Sequence, residues 1–276
     1  MVEDKKSALL RGFFKDGVFS LLAFDHRGSL RKTLSEKRGR EITPPEITDF
    51  KRQIIKALAP FFSGLLVDFE YGLPALKSLS LTSPFILPLE KTGYTESGGE
   101  RITELEKRAS DLEAAGASGM KLLIYANYRV ASWQEQKKVM KEALLESGKS
   151  RLPLFLEFVL YDAPAVSAGT ILENIKSAEE SGIYPDVWKV AYPGSPKACQ
   201  EMSSYLAERP WILLTGGESF EQFFEEYKIA KSFGAKGFLA GRALWQEATG
   251  LDLESPAGKE FLEKTLPERF KKLLAA

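Results

Sequence analysis

Histidine and cysteine are almost missing from this chain of 276 residues, which holds one of each, His26 and Cys199. A lone cysteine excludes an internal disulfide. Zinc sites usually draw on several His or Cys ligands, so a His-rich metal centre cannot be built from this chain alone. A carboxylate-only Mg2+ site stays open, but no metal and no cofactor is called for. Charge of one sign is missing too. Lys and Arg number 38, Asp and Glu 38, and the formal net charge is zero. With no block of five like charges there is no basic surface of the kind that binds nucleic acid. No apolar run is long enough to cross a bilayer. The opening stretch MVEDKKSALLRGFFKDG is a charged amphipathic segment without the apolar centre of a signal peptide. A soluble, cytoplasmic protein acting on a small molecule is the expectation.

What the chain does have is apolar residues, 44% of the total, enough for a large core. Its length suits one α/β barrel or two ordinary domains. Short apolar runs alternate regularly with amphipathic stretches. The runs are VFSLLAFD, SGLLVDFE, PFILPLE, GMKLLIYA, LPLFLEFVL, DVWKVAY, PWILLTG and KGFLAG. Between them lie helical patterns: TPPEITDFKRQIIKALAPF, ERITELEKRASDLEAAG, SWQEQKKVMKEALLESG, TILENIKSAEESG, PKACQEMSSYLAE and FEQFFEEYKIAKSFG, with a short LPALKSLS after the second strand. Thr43, Pro44 and Glu46 predict a capping box, and Ser132 with Glu135 and Ser219 with Gln222 repeat the pattern. No Pro/Gly-rich linker interrupts the series. Eight strands, each followed by a helix, predict a (β/α)8 TIM barrel filling residues 1–276 as a single domain behind a short N-terminal helix. A doubly wound sheet would need a G-x-G-x-x-G after an early strand, and FDHRGS is not one. The last segment, FLEKTLPERFKKLLAA, carries apolar residues for packing on the barrel or on another copy of the chain, so a homo-oligomer stays open.

Barrel enzymes place their chemistry at the C-terminal ends of the strands. The charges there are Asp25, His26 and Arg27 on strand one, Asp68 and Glu70 on two, Glu90 and Lys91 on three, then Lys121, Glu157, Lys189 and Arg242 on four, five, six and eight. Asp68 and Glu70 read as solvated rim residues or caps. Lys121, Glu157 and Lys189 do not, because apolar neighbours flank each of them. Three interior ions on consecutive strands are too costly unless they meet, and a carboxylate between two ammonium groups satisfies that condition. Such a cluster could be purely structural. It could equally prepare a nucleophile: burial and a nearby cation both lower a lysine's pKa, so Lys121 would help to make Lys189 neutral and able to attack a ketone. Glu157 would then move the protons of carbinolamine formation and dehydration. That is class I aldolase chemistry, and it needs no metal. At the far side of the barrel, Thr215, Gly216 and Gly217 precede a helix start at Ser219, and Gly241 precedes Arg242. Loops after strands seven and eight are where this fold holds phosphate.

Taken together, LAFDHRGSL, LEKTGY, MKLLIY, FLEFVLYD, WKVAYP and GFLAGRALW resemble the tagatose-1,6-bisphosphate aldolase family of class I barrel aldolases. The section PWILLTGG to GFLAGRALW is also similar to the related sulfofructose-phosphate aldolases. The resemblance spans nearly the whole chain. It implies Lys189 as the Schiff-base lysine, Lys121 as the second active-site lysine, Glu157 as general acid/base and Asp25 as a positioner of substrate hydroxyls or the iminium. It also implies Arg242, with backbone near Gly216 and Gly241, as the phosphate holder. The implied reaction is reversible cleavage of a ketose phosphate, tagatose 1,6-bisphosphate first and fructose 1,6-bisphosphate second, to dihydroxyacetone phosphate and an aldehyde. A sulfo-sugar phosphate giving sulfolactaldehyde is the alternative within the class, and a non-catalytic sugar-phosphate-binding regulator the alternative outside it. Three places depart from the family pattern, one of them the end of the seventh strand, which reads TGG where the family usually has small residues with Ser. His26 stands where the family has Gln, and Ala191 where it has Glu two residues after the Schiff-base lysine. Both are expected to face the sugar, His26 and Arg27 among its binding residues.

Overall fold

Along every strand of this chain the side chains alternate between two surroundings, and that alternation builds the molecule. A computed structural model describes residues 2–164 and 166–276. Its eight parallel strands are β1 (Val18–Phe24), β2 (Gly64–Val67), β3 (Phe85–Pro88), β4 (Gly119–Ala126), β5 (Leu154–Leu160), β6 (Val187–Val190), β7 (Trp211–Leu214) and β8 (Gly237–Ala240). Each pairs with the next. Strand β8 then pairs back onto β1, with Gly237 opposite Phe19 and Ala240 opposite Leu22, which closes the barrel. The (β/α)8 expectation is met.

One parity points inward. Phe19, Leu21, Leu66, Ile86, Phe155, Val187, Ile212 and Leu239 fill the interior. The other parity, with Leu22, Phe24, Val67, Leu122, Leu156, Trp188 and Phe238, packs against the surrounding helices. On β6 this places Val187 and Lys189 inside and sends Trp188 and Val190 outward. On β5 it places Phe155 and then Glu157 inside, so the interior changes from apolar to charged one inward step higher on both strands.

The lower end of the barrel is plugged from the N-terminus. After the helix Val2–Gly12, Phe13 is fully buried beneath the barrel, its ring 5.5 Å from that of Phe155 in an edge-on arrangement. Ser63 fixes it there, donating its hydroxyl to the Phe13 carbonyl at 2.6 Å and accepting the Ser20 N–H at 3.1 Å.

The outer helices follow the predicted patterns at Pro44–Leu58, Gly72–Ser78, Trp133–Ser150, Ile171–Glu179, Pro196–Leu206 and Phe220–Ser232. A further helix at Gly28–Arg38 carries no strong sequence signal beyond Leu30 and Leu34, its only buried residues. The Thr43–Glu46 capping box is present, and Ser219 accepts the Gln222 N–H. Ser132 does not cap: its side chain makes no such bond, and its N–H goes instead to Glu100 at 2.6 Å. The largest correction is the stretch ERITELEKRASDLEAAG. Only Ala109–Ala115 is helical, and Glu100–Ile102 pairs with Thr95–Ser97 as an antiparallel hairpin. Gly98 and Gly99, both at positive φ, make the turn, a conformation that costs glycine little. The C-terminal helix Leu266–Ala275 buries Leu266, Phe270 and Leu273. It lies against the barrel's own outer layer, with Phe270 5.4 Å from the Phe238 ring.

Phe13→Ala removes a whole ring from a site with no room to collapse, since Gly64 and Phe155 already press against it. Truncations of this kind cost about 3–5 kcal/mol. Urea unfolding of the variant should show that loss of stability, and a loss under about 1 kcal/mol would mean the N-terminal plug is not part of the cooperative fold.

Candidate active site

Above the apolar interior lies a cavity of about 450 Å³ at the C-terminal end of the strands. Its charged lining comes from five strands: Asp25 and His26 after β1, Lys121 on β4, Glu157 on β5, Lys189 on β6 and Arg242 after β8. Thr215, Gly216, Gly241, Ala191 and Tyr192 complete the polar and small side of the wall.

The centre is an ion network. Lys189 Nζ donates to Glu157 Oε2 at 2.7 Å, and Lys121 Nζ lies 3.3 Å from the same oxygen. The strands explain this. Glu157 is registered with Lys189 across the β5–β6 ladder and with Leu123 across the β4–β5 ladder, one inward step from Lys121. The expected carboxylate between two ammonium groups is therefore realised. Lys121 has two more partners, Asp25 Oδ2 at 3.0 Å and Glu90 Oε1 at 2.5 Å. Both lysines are at most 4% exposed.

Two consequences follow. First, Lys121 is not a bare cation beside Lys189, as the sequence suggested. Burial alone would disfavour its charge, but Asp25, Glu157 and Glu90 outweigh burial and hold its pKa well above the ordinary lysine value. Its charge is spent on three carboxylates. Second, the carboxylates divide. Burial would push Asp25 up, yet Lys121, His26 and Lys189 hold it well below the usual carboxylate range. Glu157 is likewise pulled down by Lys121 and Lys189 against its burial. Glu90 is pushed up by burial, with Lys121 opposing the rise and Asp25 adding to it, and its Oε2 has no partner. Glu90 was visible in the sequence as a strand-end charge, but nothing there joined it to Lys121.

A second buried pair supports the first. Asp68 is fully buried, not on the rim as its place in VDFE suggested. It forms an ion pair with Lys51, also fully buried, and accepts the N–H groups of Glu70, Tyr71 and Gly72 at 2.7–3.1 Å. Lys51 Nζ also donates to the Phe24 carbonyl at 2.7 Å. On the other side Trp245 Nε1 donates to the Ala23 carbonyl at 3.2 Å. The end of β1 is thus held at two successive carbonyls just before Asp25. A signal for Lys51 did exist. It sits in the apolar stripe Ile47, Phe50, Ile54, Ile55, Leu58, at a spacing that puts it on the buried face.

At the far wall Arg242 lies against the backbone of Gly217, where a Cβ would come within 2.9 Å of the guanidinium. A side chain there would displace the arginine. Thr215, Gly216 and Gly241 line the same cavity, whereas Gly217 stands behind Arg242 and outside that lining. Arg27 is also a correction: it does not line the cavity but reaches the Glu90 carbonyl at 3.5 Å and Glu106 at 3.6 Å. His26 does line it, edge-on to Trp245 and with its Nδ1 unpartnered, 3.9 Å from Asp25. Among the described residues no group of three or more His, Cys, Asp and Glu side chains is arranged to hold a metal ion.

The profile of the DeoC/LacD family aldolases matches residues 19–247, from β1 to just past β8. The chain belongs to this family. Tagatose 1,6-diphosphate aldolase 2 of Enterococcus faecalis is 32% identical to this aldolase over 278 residues, covering 88% of this chain and 83% of the relative. A second relative, tagatose 1,6-diphosphate aldolase 2 of Streptococcus agalactiae, is 29% identical with 89% and 86% covered. Among solved structures, an archaeal fructose 1,6-bisphosphate aldolase superimposes with a TM-score of 0.66 at 20% identity over 98% of this chain and all of that one. The Plasmodium falciparum fructose-bisphosphate aldolase gives 0.72 at 13%, covering 99% and 93%. These structural likenesses bear on the fold of this aldolase, a barrel shared across wide sequence distance.

The environment of His26 carries a pH consequence. Burial depresses its pKa, Asp25 opposes that and Arg242 adds to it, leaving about 4 against an ordinary 6.5. Below pH 6.5 the unfolded chain takes up a proton at this position that the folded chain refuses until about pH 4. Stability is therefore lost as pH falls through that window. At about 1.4 kcal/mol per pKa unit, the loss from this one group is on the order of 2–3 kcal/mol. His26→Gln should flatten the difference in unfolding free energy between pH 6.5 and 4 by that amount. An unchanged pH slope would show that His26 takes up its proton as readily in the folded protein.

Proposed function

We propose that this aldolase works through a Schiff base on Lys189 and cleaves a ketose 1,6-bisphosphate to dihydroxyacetone phosphate and an aldehyde. The observation that carries the reading is the unequal partnering of the two buried lysines. Lys121 is surrounded by Asp25, Glu90 and Glu157, so removing its proton would leave three carboxylates facing one another. Lys189 has one acidic partner within 4 Å among the described residues, Glu157, and faces the cavity. Of the two, Lys189 is the one that can become a neutral amine.

The steps follow from the geometry. The Lys189 ammonium passes a proton to Glu157 across their 2.7 Å bond. The neutral amine adds to the substrate C2 carbonyl, and the alkoxide takes up the proton released at nitrogen to give a carbinolamine. Glu157 returns its proton to the departing hydroxyl, which leaves as water, and an iminium remains on Lys189. Glu157, again a carboxylate, takes the proton of the C4 hydroxyl and later supplies one to C3, and the C3–C4 bond breaks. Its electron pair moves into the iminium as an enamine while the aldehyde departs. Protonation at C3 and hydrolysis then release dihydroxyacetone phosphate and restore the amine. Asp25, kept ionised by Lys121, is suited to orient substrate hydroxyls. Arg242 with the Gly216 and Gly241 backbone is suited to the C1 phosphate, because charge-assisted bonds to phosphate are the strong ones. The names of the curated relatives favour tagatose 1,6-bisphosphate, with fructose 1,6-bisphosphate second.

Trapping tests the covalent step. After incubation with dihydroxyacetone phosphate and reduction with borohydride, the reduced adduct should sit on the peptide containing Lys189, and Lys189→Ala should show none. An adduct on Lys121 would exchange the two roles. No adduct on any lysine, with cleavage still measurable, would rule out the Schiff base.

Arg242→Ala should raise KM for the bisphosphate roughly ten- to a hundredfold, the size of one or two charge-assisted contacts. An unchanged KM would put the C1 phosphate elsewhere.

A further inference from the structure

The turn between β7 and the helix Phe220–Ser232 is held down by a contact between two acids. Thr215 and Gly216 of this turn line the cavity, and Gly217 backs Arg242. Gly216 and Gly217 stand at φ 58° and 94°. Without side chains of their own to pack, they leave the turn pliant. Glu218 comes next. Its N–H donates to the Thr215 carbonyl at 3.0 Å, and its carboxyl lies 4.0 Å from where a Gly216 Cβ would stand. The Glu218 side chain then reaches back over the helix and hydrogen-bonds the carboxyl of Glu226. Glu226 also accepts the side-chain N–H of Gln222 at 3.2 Å. Ser219, Gln222 and Glu226 follow one another at helical spacing on one face, so the turn is fastened to that face at Glu226.

Two ionised carboxylates have no proton to donate to each other, so the contact needs one proton shared between the two groups. No cation stands in for it. Among the described residues no Lys, Arg or His nitrogen lies within 4 Å of either carboxyl. The cations nearby are engaged elsewhere: Lys228 on the same helix with Glu225, Lys197 on the helix Pro196–Leu206 with Glu201, and Arg269 on the C-terminal helix with Glu247. Lys37, Arg242 and Glu247 line the hollow that Glu218 faces. Tyr192 after β6 and Cys199 on the helix Pro196–Leu206 lie in the field of Glu226. Burial pushes both upward and Glu226 adds to the rise, so neither competes for the proton near neutral pH. Burial and the hydrogen bond to Glu226 push Glu218 up to about 7. Once the shared proton is lost, two carboxylates face each other without a counter-charge and repel. Glu218 then leaves Glu226 and takes the pliant turn with it.

We infer that the Glu218–Glu226 pair is a proton-operated latch on the Thr215–Ser219 turn, which is closed by one shared proton and opens when that proton is lost. Closed, it keeps the Gly216 backbone and Arg242 in place for a phosphate. The inference rests on the reading above that this wall takes the C1 phosphate, and it adds regulation of that site by pH. Affinity for a phosphorylated ligand falls as pH rises past neutrality, and the fall comes from the turn.

The test measures the dissociation constant of dihydroxyacetone phosphate at about pH 6 and about pH 8.5, in the wild-type protein and in Glu226→Gln. Ionisation of the ligand and of Lys189 is common to both proteins, so the comparison isolates the latch. An amide at this position donates to an ionised Glu218 and needs no shared proton, so the variant stays latched at both pH values. At the higher pH it should bind about tenfold more tightly than the wild type, the size of one contact to a charged group, and at the lower pH the two should agree. Equal affinities at the higher pH would overturn the latch. So would a difference of the same factor at both pH values, which would make Glu226 a fixed part of the turn. The pair also reports on itself. A protonated-carboxyl infrared band should fade between the two pH values in the wild-type protein and be missing from Glu218→Gln, and a wild-type protein without such a band has no latch. If the band behaves as expected but Arg242→Ala binds dihydroxyacetone phosphate as tightly as the wild type at the lower pH, the phosphate reading has failed, and the effect of the latch on substrate falls with it.

Discussion

Lys121 holds the mouth of the barrel together. Three carboxylates from three separate places in the chain, Asp25 after β1, Glu90 after β3 and Glu157 on β5, converge on one ammonium group. None could be buried alone, because an isolated ion in a low-dielectric interior is strongly disfavoured. Each is tolerated through the others, so β1, β3, β4 and β5 are bound into one electrostatic unit. The count of charges matters here. With Lys189 the cluster has two cations and three carboxyl groups, so it is neutral when one carboxyl carries a proton. Glu90 is the carboxyl pushed upward, and it has an oxygen without a partner. Glu157, held down by both lysines, is the carboxylate that faces Lys189.

The Lys51–Asp68 pair plays a different part. It touches no cavity, yet Lys51 reaches the Phe24 carbonyl and Asp68 gathers three N–H groups of the chain leaving β2. Removing one member of a fully buried pair strands the other, at about 3–5 kcal/mol. Its geometric effect is local: the backbone just before Asp25 cannot shift, and so neither can the carboxylate that holds Lys121. Trp245 restrains the preceding carbonyl from the β8 side and also lies against His26. The short helix after β8 therefore positions both Arg242 and the strand on its other flank.

Much of this was legible in the sequence because strand parity is a strong signal. Lys121, Glu157 and Lys189 each interrupt an apolar run at an inward position, and no surface position explains them. Asp68 was misread because its partner lies in a helix, seventeen residues away, in a stretch that looks like an ordinary amphipathic surface. Only the exact spacing of Ile47, Phe50, Ile54, Ile55 and Leu58 betrays Lys51. The Thr95–Ile102 hairpin was hidden for another reason. The apolar residues of ITELEKRASDL fall at helical spacing, but the Gly98–Gly99 turn just before them and docking onto Gln136 outweigh that preference. Long-range contacts of this kind leave no local trace, whereas Arg242 stood out beside a glycine at a strand end.

On the proposed mechanism, charge conservation at Lys189 is what makes this network suitable for Schiff-base chemistry. Before the reaction a cation stands 2.7 Å from Glu157. When the iminium has formed and water has left, a cation again stands at the same nitrogen and Glu157 is again a carboxylate. Surroundings that stabilise the ammonium therefore stabilise the intermediate, with no reorganisation between the two. The disfavoured states lie between them, when the amine is neutral and Glu157 holds the proton. There the field of Lys121 matters most: it opposes protonation of Glu157, so the acid formed is strong and gives its proton readily to the departing hydroxyl. An uncompensated Lys121 would make that acid too hard to form. On that mechanism, with Asp25 and Glu90 beside it, Lys121 tunes the proton transfer without blocking it, which would account for a second lysine that is buried, fully partnered and still placed against Glu157.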